Sequence, residues 1–131
     1  MRALVIDASA LGALVFGEPQ AEEISQALTD ATLVAPALLW FEMAAVATKK
    51  IRRHPELAAQ IQAAFSLALR LPIVVADVDY GETVNLALKS DLTTYDASYL
   101  WLADHLNAKL ITLDAKLGEI AEGRATRKTS H

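Results

Sequence analysis

Four acidic residues occupy positions where a charged side chain needs an explanation. Asp7 directly follows an apolar run, and Asp114 comes shortly after another. Glu42 lies within a helical pattern that is apolar nearly all round, and Asp96 lies in the first turn of a helix rich in aromatic residues. A glutamate buried without a partner costs several kcal/mol or stays protonated. Carboxylates in such places are candidates for metal binding or acid–base catalysis.

The elements that must position these acids alternate between short apolar runs and helical patterns. The predicted strands are residues 2–6, 32–35, 73–76 and 110–112. The predicted helices are residues 9–16, 20–28, 37–53, 55–69, 80–89, 95–106 and a short helix from 114 to 121. Strands separated by helices predict an α/β fold with a central, mostly parallel sheet flanked by helices. The last ten residues contain no apolar run, so the sheet has four strands or a weak fifth.

This topology places the four acids on one edge of the sheet. In a parallel α/β sheet, the carboxyl ends of the strands share an edge with the amino ends of the following helices. Asp7 and Asp114 could each cap a helix, and Asp96 could favour a helix start electrostatically. Capping does not explain four acids at one edge, and it does not apply to Glu42. Crowded carboxylates repel unless cations neutralise them, so the arrangement predicts a site for Mg²⁺ or Mn²⁺.

The composition narrows the chemistry further. The chain has 131 residues, 53% of them hydrophobic, which is the size of one domain with a substantial core. It contains no cysteine, which excludes disulfides and thiol catalysis, and its three histidines are too few for a multi-histidine metal site. The longest apolar run, residues 33–41, is too short to span a bilayer. No convincing cleavage site follows the apolar N-terminus, so we expect a cytoplasmic protein without membrane contact.

Basic residues are clustered although the net charge is −4. One cluster consists of Lys49, Lys50, Arg52 and Arg53, and a second of Arg124, Arg127 and Lys128. A solvated helix end and a polar tail are the ordinary explanations. Beside a metal site, the same residues could contact a phosphate backbone. The sequence therefore predicts a metal-dependent phosphodiesterase.

The chain resembles the PIN-domain ribonucleases, and in particular the VapC toxins of bacterial type II toxin–antitoxin modules. The segments that carry the resemblance are Val5–Ser9, Trp40–Glu42, Leu92–Leu100 and Leu110–Asp114. The patterns Leu-Thr-x-Tyr-Asp-Ala-x-Tyr and Leu-x-Thr-x-Asp are specific in combination, whereas an opening Asp-x-Ser alone is a weak signal. The resemblance spans residues 2–117, and it predicts that residues 1–131 form a single PIN domain.

The resemblance implies a Mg²⁺- or Mn²⁺-dependent endoribonuclease that arrests translation and leaves a 5′-phosphate and a 3′-hydroxyl. The residues that match the family's acidic quartet are Asp7, Glu42, Asp96 and Asp114. The three aspartates are the expected direct metal ligands, whereas Glu42 binds through water or orients the attacking water. Ser9 and Thr112 match hydroxyl positions that support the quartet. Lys49, Lys50, Arg52 and Arg53 are the candidate RNA contacts.

The resemblance also implies partners. These are a small DNA-binding antitoxin of the VapB type that blocks the acidic pocket, an RNA substrate, and a second copy of the chain in a homodimer. The chain departs from the family in one respect, because residues 121–131 do not supply the late apolar strand that usually closes the sheet. The tail either frays or contacts RNA or a partner.

Other functions fit the sequence less well. A phosphatase of the haloacid-dehalogenase type needs a second acid two residues after its first aspartate, where this chain has Ser9. A phosphoacceptor signalling domain needs a lysine beside its acidic pocket, but Lys109 precedes the last strand instead of following it. The alternative that stays open is a catalytically silent PIN-like module that binds RNA or a protein partner.

Several other conspicuous side chains have structural explanations. The aromatic residues expected in the core or a dimer interface, rather than as platforms for base stacking, are Trp40, Phe41, Tyr99 and Trp101. Asp104 is expected to be solvated, His105 to lie at the surface, and Asp91 to be a turn residue.

Overall fold

The central sheet has four strands in the part of the chain that is described. The computed structural model describes residues 2–129, and the side chains of residues 2–124. The strands are β1 (Arg2–Ile6), β2 (Ala31–Ala35), β3 (Val74–Val75) and β4 (Lys109–Ile111). All three strand pairings are parallel, and the spatial order is β3-β2-β1-β4. The predicted α/β fold with a parallel sheet is confirmed.

Seven α-helices flank this sheet within residues 2–129. They are α1 (Ala8–Val15), α2 (Ala21–Ala27), α3 (Leu38–Arg53), α4 (Ala58–Ala68), α5 (Tyr80–Ser90), α6 (Thr94–Leu106) and α7 (Ala115–Thr129), with a 3₁₀ helix at Pro55–Leu57. The chain moves in one direction across the sheet from β1 to β3, and then crosses back to β4. Because such crossovers are right-handed, α1 to α4 cover one face, and α5 and α6 cover the other. α7 follows the last strand and packs against β4 and α6.

The core surrounds β1, which is one of the two central strands. Val5 and Ile6 of this strand are completely buried, as are Leu11 of α1 and Leu39 of α3. Burying each such side chain contributes about 1.5–3 kcal/mol of stability. The end of β1, and therefore the position of Asp7, is fixed by packing on both faces of the sheet.

Short-range hydrogen bonds set the starts of the helices that face the site. The N-cap of α6 is Thr93, whose Oγ1 accepts from the backbone N–H of Asp96 at 3.1 Å. The N-cap of α5 is Asp79, whose Oδ1 accepts from the N–H of Glu82 at 2.8 Å. Each cap satisfies an amide that the helix itself leaves without a partner.

The C-terminal part of the chain differs from the prediction. α7 ends at Thr129 instead of Ala121, and residues 2–129 contain no fifth strand. Leu117 of α7 is completely buried, which anchors the helix, and residues 122–129 include several good helix formers that extend it. β3 is also shorter than the predicted strand, and its two valines are about half exposed.

The structure corrects one prediction about a side chain and narrows another. Phe41, expected in the core or a dimer interface, is 83% exposed because helical periodicity turns it away from buried Leu39 and Met43, which leaves the interface as its expected place. Asp104 is not simply solvated, because its carboxylate accepts a hydrogen bond from Nε of Arg124 at 2.7 Å. The extension of α7 supplies this partner. The buried position expected for Tyr99 is confirmed.

The second basic cluster is only partly described. Arg124 pairs with Asp104, whereas the side chains of Arg127 and Lys128 lie outside the described residues. No helix among residues 2–129 is both long enough and apolar enough to cross a membrane.

Candidate active site

The carboxyl ends of β1 and β4 bring two of the predicted acids to adjacent loops. Asp7 is the first residue after β1, and Asp114 is the third residue after β4. The backbone N–H of Asp7 donates to the carbonyl of Ile111 at 3.2 Å, which continues the pairing of the two strands up to the site. The predicted placement of these acids at one sheet edge follows from this pairing.

Asp7 is the most constrained member of the set, since its exposure is only 5%. Its Oδ1 accepts from the Ser9 hydroxyl at 2.7 Å and from the N–H of Ala10 at 3.0 Å, so it also caps α1. Its Oδ2 accepts from the hydroxyl of Thr112. Burial raises the pKa of Asp7, although these hydrogen bonds favour its charged form.

The hydroxyls of Ser9 and Thr112 connect the two loops. The Ser9 oxygen accepts from the N–H of Leu113 at 2.9 Å, and the Thr112 oxygen accepts from the N–H of Asp114 at 3.0 Å. Both hydroxyls therefore donate to Asp7 and accept from the loop that carries Asp114. This arrangement supports the role predicted for Ser9 and Thr112, which is to orient the acids.

Glu42 lies on α3, and a buried tyrosine of α6 fixes its carboxylate. The Tyr99 hydroxyl donates to Oε1 of Glu42 at 2.6 Å. Burial raises the pKa of Glu42, and the negative charges of Asp96 and Asp7 raise it further. The pKa of Tyr99 is also raised, by burial and by its contact with Glu42, so the hydroxyl keeps its proton and remains a donor.

Asp96 and Asp114 complete the group at the starts of two helices. Asp114 is exposed, and its Oδ1 accepts from the N–H of Leu117 at 2.8 Å, so it caps α7. The pKa of Asp96 is raised by partial burial and by the charges of Asp114 and Asp7, and it is lowered by Lys116. Nζ of Lys116 lies 3.2 Å from a carboxylate oxygen of Asp91.

These electrostatic interactions link all four predicted acids. Asp7 raises the pKa of Glu42 and Asp96, and Asp114 raises the pKa of Asp96. Each effect acts through mutual repulsion, which falls off with distance, so the four carboxylates share one region at the sheet edge. We call this group the acidic quartet.

The donor chemistry of the acidic quartet fits a hard divalent cation. All its ligating atoms are carboxylate oxygens, which suit Mg²⁺ or Mn²⁺. In the arrangement described for residues 2–124, no three acidic or histidine side chains stand close enough together to hold an ion. Like charges at this edge repel one another, and a bound cation would neutralise that repulsion. Binding therefore requires a side-chain adjustment, which the exposed position of Asp114 permits.

The first basic cluster is not brought to the acidic quartet. Residues 49–53 lie at the C-terminal end of α3, roughly 10–17 Å along the helix axis from Glu42. Lys50 forms an ion pair with Glu18, whereas Lys49 and the two arginines are exposed. That residues 49–53 contact RNA, at a distance from the acids, stays a prediction.

Two residues near the quartet were missed by the sequence analysis. Tyr99 was assigned to packing alone, but its hydroxyl holds Glu42. Its spacing of three residues from Asp96 places both on one helix face, which was a usable signal. Lys116 was not singled out, because its proximity to Asp96 depends on how α7 packs beside α6.

Comparisons with known proteins agree with this architecture. The family model described as the PIN domain matches residues 4–123. The chain is 32% identical over 121 residues to Ribonuclease VapC3 of Pyrobaculum aerophilum, covering 88% of this chain and 92% of that protein.

Two solved structures share the fold. PAE2754 of Pyrobaculum aerophilum superposes with a TM-score of 0.73 at 22% identity, covering 99% of this chain and 98% of that chain. VapC20 of Mycobacterium tuberculosis, a toxin that cleaves the sarcin–ricin loop, superposes with a TM-score of 0.66 at 15% identity, covering 89% and 94% respectively. The predicted PIN-like fold is confirmed.

The repulsion within the quartet predicts a stability effect. Asp96→Asn should raise the Tm of the metal-free protein by roughly 2–5 °C at neutral pH, because it removes one of the repelling charges. Because the pKa of Asp96 is raised on folding, its charge destabilises the fold only above the pKa of the unfolded residue. The increase in Tm caused by Asp96→Asn should become smaller as the pH falls toward about 4.

Differential scanning calorimetry in EDTA across this pH range measures the effect. Glu119→Gln, which removes a charge from the exposed side of α7, is the matched control and should show no comparable gain. A stabilisation by Asp96→Asn that does not depend on pH would contradict the electrostatic explanation.

Proposed function

The chain belongs to the PIN-domain family, and we propose that it is a Mg²⁺- or Mn²⁺-dependent endoribonuclease, the toxin of a VapBC-type toxin–antitoxin module. The observation that carries the proposal is the acidic quartet at one sheet edge, in which burial and the charges of neighbouring members raise the pKa of Glu42 and of Asp96. The names of its relatives, a ribonuclease and a toxin that cleaves the sarcin–ricin loop, support RNA as the substrate. In this proposal, residues 1–131 act as a single PIN domain.

Asp7, Asp96 and Asp114 would hold the cation. When bound, Mg²⁺ or Mn²⁺ supplies positive charge that lowers the pKa of an attacking water and neutralises the phosphate. Asp7 is positioned by hydrogen bonds and burial, so it defines where the site lies. Asp96 and Asp114 adjust around it from the starts of α6 and α7.

Glu42 would orient the attacking water and accept its proton. Its pKa is raised by burial and by neighbouring charges, which makes it a better proton acceptor near neutral pH than an ordinary glutamate. The Tyr99 hydroxyl donates a hydrogen bond to Oε1 of Glu42, so Oε2 is the oxygen that would contact the water. Hydrolysis by water in this way leaves a 5′-phosphate and a 3′-hydroxyl.

Protein partners belong to the same proposal. A VapB-type antitoxin would block the acidic quartet, and a second copy of the chain would form a homodimer in the cytoplasm. Leu67, Leu69 and Val74 support contacts with another protein, because each is at least half exposed at the end of α4 and the sheet edge. Covering such apolar side chains favours association.

The direct test is cleavage of RNA by the purified protein with Mg²⁺ or Mn²⁺. We expect Asp7→Asn and Asp96→Asn to reduce kcat by at least roughly 100-fold, because loss of a metal ligand exceeds the 10- to 100-fold typical of supporting residues. EDTA should abolish cleavage by the wild type. Products are separated on denaturing gels, and their ends are identified by susceptibility to a 5′-phosphate-dependent exonuclease.

Glu119→Gln is the control for this test and should retain wild-type activity. Cleavage that persists in both aspartate variants would identify a contaminating nuclease or a different site. A wild type that binds RNA in EDTA but cleaves none with either metal would be a catalytically silent binding module.

A separate prediction concerns Thr112. Thr112→Val keeps the shape of the side chain but removes the hydroxyl that donates to Asp7 and accepts from the N–H of Asp114. We expect metal affinity or kcat to fall 10- to 100-fold. Thr48→Val on α3 is the control, since its hydroxyl bonds only a carbonyl within its own helix among the contacts described. Equal activities for the two variants would contradict the positioning role.

A further inference from the structure

We propose that a cavity beside the acidic quartet binds an unpaired base of the RNA strand, next to the phosphate that is cleaved. The cavity has a volume of about 240 Å³, and its walls include Pro36, Leu38, Val78, Tyr80 and Tyr95. We call it the base pocket. The proposal rests on the proposed nuclease function and adds to it how the substrate is held.

The base pocket lies on the same sheet edge as the acidic quartet. Pro36 directly follows β2, and Ala76 and Asp77 follow β3, whereas Asp7 and Asp114 follow β1 and β4. Since the strand order is β3-β2-β1-β4, the pocket and the acids are neighbours along one edge. Strands lie about 4.8 Å apart, so the two sites are separated by roughly 10 Å, the scale of adjacent nucleotides.

Two of the helices that carry the acids also contribute to the walls of the pocket. Leu38 is one turn before Glu42 on α3, and Tyr95 is directly before Asp96 on α6. Residues four apart on a helix share a face, so Leu38 lines the pocket on the side where Glu42 enters the site. An RNA strand with a phosphate at the quartet can therefore place a neighbouring base at this pocket.

The chemistry of the walls suits a base rather than a phosphate. Tyr80 is 81% exposed and Tyr95 is 61% exposed, so both rings are open to a ligand, while Pro36, Leu38 and Val78 provide apolar surface. Aromatic side chains bind unpaired bases of RNA by stacking. The volume is below the roughly 300–1,000 Å³ of pockets for drug-sized ligands, which suits one ring system.

A base contact would add affinity where the electrostatics of the chain are unfavourable to RNA. The chain has a net charge of −4, and the acidic quartet repels phosphates until a cation is bound. The basic cluster of residues 49–53 lies at the far end of α3. Stacking in the base pocket provides affinity that does not depend on positive charge near the cleavage site.

Asp77 is the one charged side chain among the described residues that line the pocket, and we expect it to contribute to the choice of base. The hydroxyls of Thr83, Thr94 and Ser98 also line the pocket, and those of Thr83 and Ser98 donate to the carbonyls of Asp79 at 2.7 Å and Tyr95 at 2.6 Å. Asp77 is exposed, and its carboxylate accepts hydrogen bonds only. Guanine presents two adjacent N–H donors on its Watson–Crick edge, so the pocket favours guanine.

The test is cleavage of a randomised single-stranded RNA library by the metal-loaded protein, with the fragment ends sequenced and KM and kcat measured on a preferred sequence. We expect Tyr80→Ala to raise KM by roughly 5- to 100-fold while kcat changes little, and Tyr80→Phe to restore KM because the ring is kept. Asp77→Asn should weaken the preference for guanine at one fixed position beside the cut. Leu88→Ala, another exposed side chain of α5, is the control and should match the wild type.

The outcomes separate this inference from the proposed function. If the wild type cleaves RNA but Tyr80→Ala leaves KM and base preference unchanged, the base pocket is wrong and the nuclease stands. If no RNA is cleaved, binding of a labelled single-stranded RNA of about 12 nucleotides in EDTA still tests the pocket, because Tyr80→Ala should weaken it. If Tyr80→Ala instead alters the sedimentation mass and leaves RNA binding intact, the tyrosine belongs to a protein interface, which overturns the inference.

Discussion

The placement of partly buried carboxylates beside one another at the sheet edge is the constraint on which the rest of the structure depends. Burial raises the pKa of Asp7, Glu42 and Asp96, and the charges of neighbouring acids raise it further for Glu42 and Asp96. A protein that keeps such an arrangement gives up stability at neutral pH unless a cation is bound. The hydrophobic packing of β1 against helices on both faces of the sheet stabilises the fold and offsets this loss of stability.

Hydrogen bonds at the site serve two purposes at once. Asp7 and Asp114 cap α1 and α7, as an ordinary structural explanation would have them do, and they remain members of the quartet. Ser9 and Thr112 donate to one loop and accept from the other, so the geometry of the acids is tied to the pairing of β1 with β4. The buried Tyr99 fixes the carboxylate of Glu42 by donating a hydrogen bond to it. Capping and catalysis are therefore compatible explanations for these acids.

Features that depend on local sequence were predictable. The apolar run of β1, the caps at Asp79 and Thr93, and the alternation of strands and helices follow from short-range rules. The position of the quartet followed from topology, since acids after parallel strands meet at one edge. The site residues themselves stay predictions until they are tested by substitution.

Features that depend on tertiary contacts were not predictable. The length of α7 and its pairing of Arg124 with Asp104 required knowing how α7 packs beside α6. The exposure of Phe41 followed from which face of α3 meets the sheet, and an apolar run alone does not specify that face. The contact of Tyr99 with Glu42 joins residues 57 positions apart, beyond the reach of local patterns.

The proposed function depends on binding of a divalent cation by the quartet in competition with protons. Calorimetric titration with Mn²⁺ at about pH 5.5 and about pH 8, in buffers of different ionisation enthalpy, measures both affinity and protons released. We expect saturable binding that is weaker and releases more protons at the lower pH than at the higher pH, and loss of binding in Asp7→Asn. Absence of saturable binding at millimolar Mn²⁺, or equal affinity in Asp7→Asn, would contradict it.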